Sequence, residues 1–176
     1  TSADAAGALT LTNAIIGTGI TLVGAPTLVG VTNQQGIYSD GLAEIGFTPG
    51  IVLSSGNVND IAGPNDNGPE TLGGGGTLDD DINTTLGTAG DADLTAIAGA
   101  DTQDANVLEF SFKFGDGTVG GDLFFNFVFA SEEYVDFIGS SFNDAFAFIL
   151  DGTTNLAIVG GSPITINNIN NTSNSG

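Results

Sequence analysis

The chain has 176 residues and a formal charge of −20, with one Lys or Arg against 21 Asp and Glu and no His, Cys, Met or Trp. That composition excludes disulfide frameworks, thiolate or histidine metal centres and Ser-His-Asp or cysteine hydrolysis, and argues against nucleic acid or anionic membrane surfaces, which need basic residues to neutralise phosphate. A hydrophobic content of 40%, 12 Phe and 28 Gly suit one folded domain over residues 1–176 with many turns and few long helices, so the fold expected is all-β.

In residues 2–16, Ala5, Ala8, Leu9, Thr12, Ile15 and Ile16 recur at three and four, which predicts a short amphipathic helix ended by Gly17. No other stretch reads as a convincing helix. Across residues 19–31, Gly24, Pro26 and Gly30 break up β-branched residues into short strands, and Ile51-Val52-Leu53 is a brief further one. Residues 57–90 dissolve into Gly, Asn, Asp and Pro, and an excursion of this length inside a compact domain calls for a functional reason or an ordering ligand. In residues 107–114 the period is two: Leu108, Phe110, Phe112 and Phe114 face a core while Glu109, Ser111 and Lys113 face water. After a turn at Asp116-Gly117, residues 123–130 are apolar on both faces apart from Asn126 and are expected to be a central strand covered on both sides. Residues 145–150, closed by the turn Asp151-Gly152, then 156–159 and Ile164-Thr165-Ile166 complete the strands. Short strands, glycine turns and one N-terminal helix predict a two-sheet β-sandwich of jelly-roll type.

The acids fall into clusters. Asp79 and Asp81 close the glycine-rich stretch, Asp91 and Asp93 precede a short apolar turn, and Asp101 and Asp104 come just before a strand. Glu132 and Glu133 end the apolar run, and Asn143 and Asp144 begin the next strand. Carboxylates repel when a chain compacts, so a protein this acidic is expected to live in high salt or to bind cations. Calcium, a hard ion taking about six to eight oxygens at about 2.3–2.6 Å, is the structural ion expected at some of these ten positions. The plainer reading is that Asp and Asn favour turns and strand ends for their own hydrogen bonds. Strand alternation puts Glu133 on the side of Phe125, Phe127 and Phe129 and Glu132 on the side of Val128 and Ala130, so both enter one site only through a bulge. A glycosidase would need two carboxyls facing across about 5–9.5 Å. Nothing in the pattern assembles such a pair, so no enzyme, catalytic residue or organic cofactor is expected.

The run Phe127-Val128-Phe129-Ala130-Ser131-Glu132-Glu133-Tyr134, followed by Phe142-Asn143-Asp144-Ala145-Phe146-Ala147-Phe148 and Asp151-Gly152, resembles the hallmark of the choice-of-anchor L domain family of bacterial secreted and cell-surface proteins. Gly50-Ile51-Val52-Leu53-Ser54-Ser55-Gly56, Asp104-Ala105-Asn106-Val107 and Ile164-Thr165-Ile166-Asn167-Asn168-Ile169-Asn170 look like further blocks of that family. The resemblance implies a secreted module of a cell surface or extracellular matrix with no known enzyme activity. The function expected is structural or adhesive, stabilised by calcium. A calcium-dependent, lectin-like carbohydrate-binding module is the alternative, with Tyr38 and Tyr134 as stacking rings, although two Tyr and no Trp make a thin platform. Family members carry further strands and an anchoring signal after the Ile-Asn-Asn-Ile-Asn block, so the domain is expected to lack its final strand. An open edge beside Ile164-Thr165-Ile166 would then accept a strand from a neighbouring copy, donated by residues 19–31 or by the N-terminal residues, and build head-to-tail fibres. Expected partners are further copies of the chain, other surface or matrix components and glycans, without nucleic acid or direct membrane insertion.

Overall fold

In the computed structural model, which describes residues 1–62, 85–134 and 137–171, helix α1 (Ala5–Ile15) forms where the three-and-four spacing places it. Asp4 caps it by accepting from Gly7 N at 2.8 Å, and Ile16 N closes it by donating to Thr12 O at 3.0 Å. The Gly7 bond, helped by the Ser2 hydroxyl, holds the Asp4 carboxyl below its ordinary range.

The chain divides into two compact units, the first made of Thr1–Leu86 and Asp104–Asn126. Its elements after α1 are β1 (Ile20–Val29), β2 (Gln35–Tyr38), the single turn α2 (Leu42–Ile45), β3 (Gly50–Leu53) and β4 (Val107–Phe114). β1 pairs antiparallel with β4, from Ile20 opposite Phe114 to Val23 opposite Ser111, and resumes at Thr27 opposite Glu109. The interruption is a bulge at Gly24, whose φ is 72°, and Pro26, which has no N–H to give the ladder. What reads as several short strands is therefore one strand with a bulge. β4 alternates as predicted, with its Phe side chains half-buried and Glu109, Ser111 and Lys113 exposed. β2 pairs with β3, and Tyr38 lies across Gly50 so closely that any Cβ there would collide with the ring.

Helix α1 packs on β1 through Leu11 and its buried neighbours Ala8 and Thr12. Beside this apolar contact lie two fully buried amides. Gln34 accepts from Val31 N at 2.8 Å and donates to Asp104 O at 2.6 Å. Gln35 donates to Thr1 O at 2.9 Å and accepts from Asn106 Nδ2 at 2.7 Å. These bonds join segments more than thirty residues apart in sequence, Thr1 with Gln35 and Gln34 with Asp104.

The second unit comprises Gly87–Gln103 and Phe127–Gly176. Helix α3 (Ala92–Ala98) starts where Asp91 accepts from Asp93 N at 2.9 Å and Leu94 N at 3.1 Å, and ends at Gly99 with φ 69°. Strand β5 (Ala145–Phe146) and strand β8 (Ile158–Val159) flank β9 (Ser162–Thr165), while β6 (Ile149–Leu150) and β7 (Thr154–Asn155) form a hairpin. Its turn holds Asp151 and Gly152 at φ 53° and 66°, as the Asp-Gly pair predicts. Ala157, Ile164, Thr165 and Ile166 are buried at the core of this unit.

The architecture is mixed and mostly strand, with helices and four small antiparallel sheets of two, two, three and two strands. The all-β expectation with one helix is corrected by α2 and α3, and no two-sheet sandwich or jelly roll is present among the described residues. Residues 123–130 are likewise corrected: they form no strand, and Phe124 is 90% exposed. A central strand needs neighbours along both edges. Gly115 and Gly117, at φ 54° and 91°, turn the chain at the end of β4, and no described strand pairs with the run.

Replacing Gln34 by Leu keeps volume but removes both of its backbone bonds, and is expected to lower stability by about 1–3 kcal/mol. Urea unfolding followed by circular dichroism measures this, and an unchanged midpoint would show the amide to be dispensable.

Candidate functional site

The motif residues of the second unit gather around one turn. Glu132, Glu133 and Tyr134 lie in that turn, with Glu132 exposed and Glu133 half-buried, so the question of which strand face each glutamate takes does not arise. Ser131 Oγ donates to Asp144 Oδ2 at 2.6 Å and accepts from Glu133 N at 3.1 Å, which ties the turn to the start of β5. The Tyr134 hydroxyl donates to Ile169 O. Burial pushes its pKa above the ordinary 10.0, and the negative charge of Asp144 adds to the effect.

Asparagines hold the remaining backbone in place. Asn143 donates to Ala98 O at 2.8 Å and accepts from Asn167 N at 3.0 Å, so both ends of its amide are used. Asn167 accepts from Gly139 N at 2.5 Å and donates to Ser140 O at 3.1 Å. Asn170 donates to Ile166 O at 2.9 Å and Asn167 O at 3.2 Å, and Asn155 accepts from Phe148 N and Ala157 N at 3.1 and 3.0 Å. Of these, sequence reasoning singled out only Asn143. The signal for the others was the clustering of Asn where strands are two residues long and leave backbone groups to be satisfied.

Beside this network runs a groove of about 430 Å³ lined by Phe127, Phe129, Tyr134, Val159, Ile164 and Ile169, with Asn170 and Asn171 completing it. Phe127 stacks on Phe146 at 4.9 Å, and Phe129 meets Tyr134 edge-on at 6.3 Å and 85°. The lining carries no charged residue.

Among the described residues, the acids expected to hold calcium are not drawn into one set. Asp91 is the cap of α3, Asp93 is exposed in its first turn, and Asp101 is exposed beyond its end. Asp104 belongs to the first unit, where it is 6% exposed, adopts φ 51° and accepts from Leu86 N at 3.0 Å. Asp144 meets Ser131, while Asp79 and Asp81 lie outside the described residues. Among the described residues no three acidic side chains converge closely enough to hold a metal ion. The two Tyr expected as a sugar platform sit in different units, each half-buried.

The sequence model of the choice-of-anchor L domain matches residues 6–176. The chain belongs to the choice-of-anchor L domain family. Comparison with curated proteins and with solved structures returns no match. The choice-of-anchor L match spans both compact units, and the family's description points to a protein anchored at a surface. No helix among the described residues is long and apolar enough to cross a membrane.

Asn143→Asp separates a structural amide from a metal ligand. The carboxylate cannot donate to Ala98 O and adds negative charge where α3 already presents its terminal carbonyls, so a loss of about 1–3 kcal/mol is expected. A variant that gains stability in calcium would instead assign Asn143 to a cation site. For Tyr134 the folded value lies above the unfolded 10.0, so its contribution is fully present below that pH and is lost as pH rises through the folded value. Urea midpoints between about pH 9 and 12 should therefore fall more steeply in the wild type than in Tyr134→Phe, and equal slopes would refute the burial argument.

Proposed function

We propose that this choice-of-anchor L domain is a secreted, non-catalytic structural or adhesive module of a bacterial surface or extracellular matrix. The observation that carries the reading is the family match over residues 6–176, and the use of the motif side chains supports it. Ser131, Tyr134, Asn143, Asn167 and Asn170 are engaged in holding backbone and neighbouring side chains, which is the work of a scaffold.

Calcium is part of the proposal on grounds of charge. At −20, with Lys113 as the single basic side chain and its amine donating to Asp116 O at 2.9 Å, the protein itself supplies almost no cations to offset repulsion. Exposed carboxylates such as Asp93 and Asp101 suit weak sites, in the range of about 10⁻⁴–10⁻³ M seen in extracellular modules. A site of about 1 mM affinity in about 10 mM calcium contributes about 1.4 kcal/mol. That corresponds to a rise of about 3–6 °C in melting midpoint relative to EDTA at constant ionic strength. An identical midpoint in both buffers would remove calcium from the account.

Self-association into fibres also belongs to this reading, with a changed route. Residues 19–31, expected as the donated strand, contain β1, which pairs with β4. At the expected acceptor, Ile164 and Thr165 pair with β5, and Ile166 N donates to Asp144 O at 3.2 Å. Donation by that segment onto that edge would require both to be released. The two-sheet jelly-roll sandwich is retained as a proposal for an assembled state in which a neighbouring strand covers residues 123–130. Glycan binding ranks second, favoured by the aromatic walls and the Asn170 and Asn171 amides of the groove, and a glycan array distinguishes it from a scaffold.

A further inference from the structure

Asp-Gly pairs stand at residues 40–41, 116–117 and 151–152. In such a pair the glycine has no Cβ to crowd its amide, so its nitrogen can reach the preceding carboxyl and close a five-membered succinimide ring. We propose that Asp151 is a self-modification site of this domain, converting to isoaspartate through that ring, while the fold protects Asp40 and Asp116. The inference goes beyond the structural-module reading and does not depend on it.

The chemistry needs only solvent. Gly152 N gives up its proton and bonds to Asp151 Cγ, while the carboxyl, protonated by solvent, gives up its hydroxyl, so one water leaves. Water then reopens the ring at either carbonyl. Opening at Cγ restores Asp151. Opening at the main-chain carbonyl leaves Gly152 N bonded to Cγ, with a free carboxylate on Cα and an extra methylene in the backbone. The formal charge is unchanged. The two-residue turn sets Leu150 opposite Thr154, so a longer turn loosens the pairing it imposes.

The fold decides which pair reacts. Asp116 Oδ1 accepts from Thr118 N at 2.9 Å and from Thr118 Oγ1 at 2.6 Å, and Gly117 N donates to Phe114 O at 2.8 Å, so acid and nucleophile are both occupied. The Thr118 bonds also hold the Asp116 carboxyl below its ordinary range and disfavour the protonated form that cyclises. At Asp40 the obstacle is packing. Gly41 is buried, Tyr38 and Ile45 lie 3.0 and 3.2 Å from where its Cβ would stand, and its carbonyl accepts from Ile45 N at 2.8 Å. Nothing lies within 4 Å of the same position at Gly152. Asp151 and Gly152 are both exposed, and among the described residues neither the Asp151 carboxyl nor Gly152 N has a hydrogen-bond partner.

Peptide mapping of the whole chain after prolonged warming at neutral pH tests this, because an isoaspartyl peptide separates from its parent at unchanged mass. Asn67-Gly68 lies outside the described residues, and its ring closure releases ammonia and changes the mass, so the two reactions are read apart. Isoaspartate should form at Asp151 at least about tenfold faster than at Asp116, where several hydrogen bonds must break before the ring closes. Asp40 should also lag behind Asp151. In urea the three rates should converge, and Thr118→Val should quicken the reaction at Asp116 alone. Warming should speed hydrogen exchange of Leu156 N, which donates to Phe148 O at 2.8 Å beside the hairpin, and should leave it unchanged in Asp151→Glu, which cannot close a five-membered ring. Equal rates in the folded chain, a lead by Asp116 or Asp40, a ranking that survives urea, or exchange that changes alike in wild type and Asp151→Glu each overturns the proposal.

Discussion

The structure depends on satisfying backbone groups that short strands leave unpaired. Among the described residues four of the nine strands are two residues long, all of them in the second unit, so ladders alone cannot use every N–H and C=O there. Side chains complete the pairing, and they divide the task by chemistry. Asp4, Asp91 and Asp116 accept from backbone N–H groups at turns and helix starts. A carboxylate cannot donate, so carbonyls that need a proton are met by amides: Gln34 on Asp104 O, Asn143 on Ala98 O, Asn170 on Ile166 O. In most proteins Lys and Arg share that donor role. Here the chain has one basic residue, and Asn and Gln donate without adding charge of either sign.

Carboxylates of ordinary pKa are ionised at neutral pH, so the charge of −20 is left to counterions. Hydrogen bonds from Gly7 and Ser2 to Asp4, and from Thr118 to Asp116, stabilise the ionised carboxyl and hold its pKa down. Exposed side chains reduce the cost by spreading through solvent, where salt screens them. Residues 5–39 and 152–176 carry no acid or base at all, so the charge is concentrated in the remaining segments.

Much of the first unit was legible in the sequence because its elements are long enough to show a period. The spacing of Ala5, Ala8, Leu9, Thr12, Ile15 and Ile16 located α1, although Leu11 and not Leu9 is its buried leucine, and the alternation of Leu108, Phe110, Phe112 and Phe114 located β4 with its correct faces. The Asp151-Gly152 turn was legible from its backbone preference. Helix α3 was not, since seven residues span two turns and the capping role of Asp91 looked like that of a metal ligand. Residues 123–130 misled for a different reason. An apolar run on both faces suits a covered strand, but hydrophobicity alone does not supply the pairing edge, and no described strand pairs with this run. At Asn143 the residue was legible and its bridge from Ala98 O to Asn167 N was not, because sequence does not show which backbone groups an amide meets.

The groove itself follows from the polar framework. Asn170 ties Ile166 O and Asn167 O together, and Asn168 N and Ile169 N both donate to Thr165 O, so the segment from Thr165 to Asn170 is fixed as a tight turn. That turn presents Ile169 to the groove and its carbonyl to Tyr134, which lines the groove with Phe129. Collapse of the apolar walls onto one another would recover about 25 cal/mol for each Å² removed from water. It would also break backbone bonds at about 0.5–1.5 kcal/mol each, and more where the groups remained buried without partners. A few such bonds outweigh closing a shallow apolar surface, so the groove stays open by hydrogen bonding despite the solvent's pull to close it.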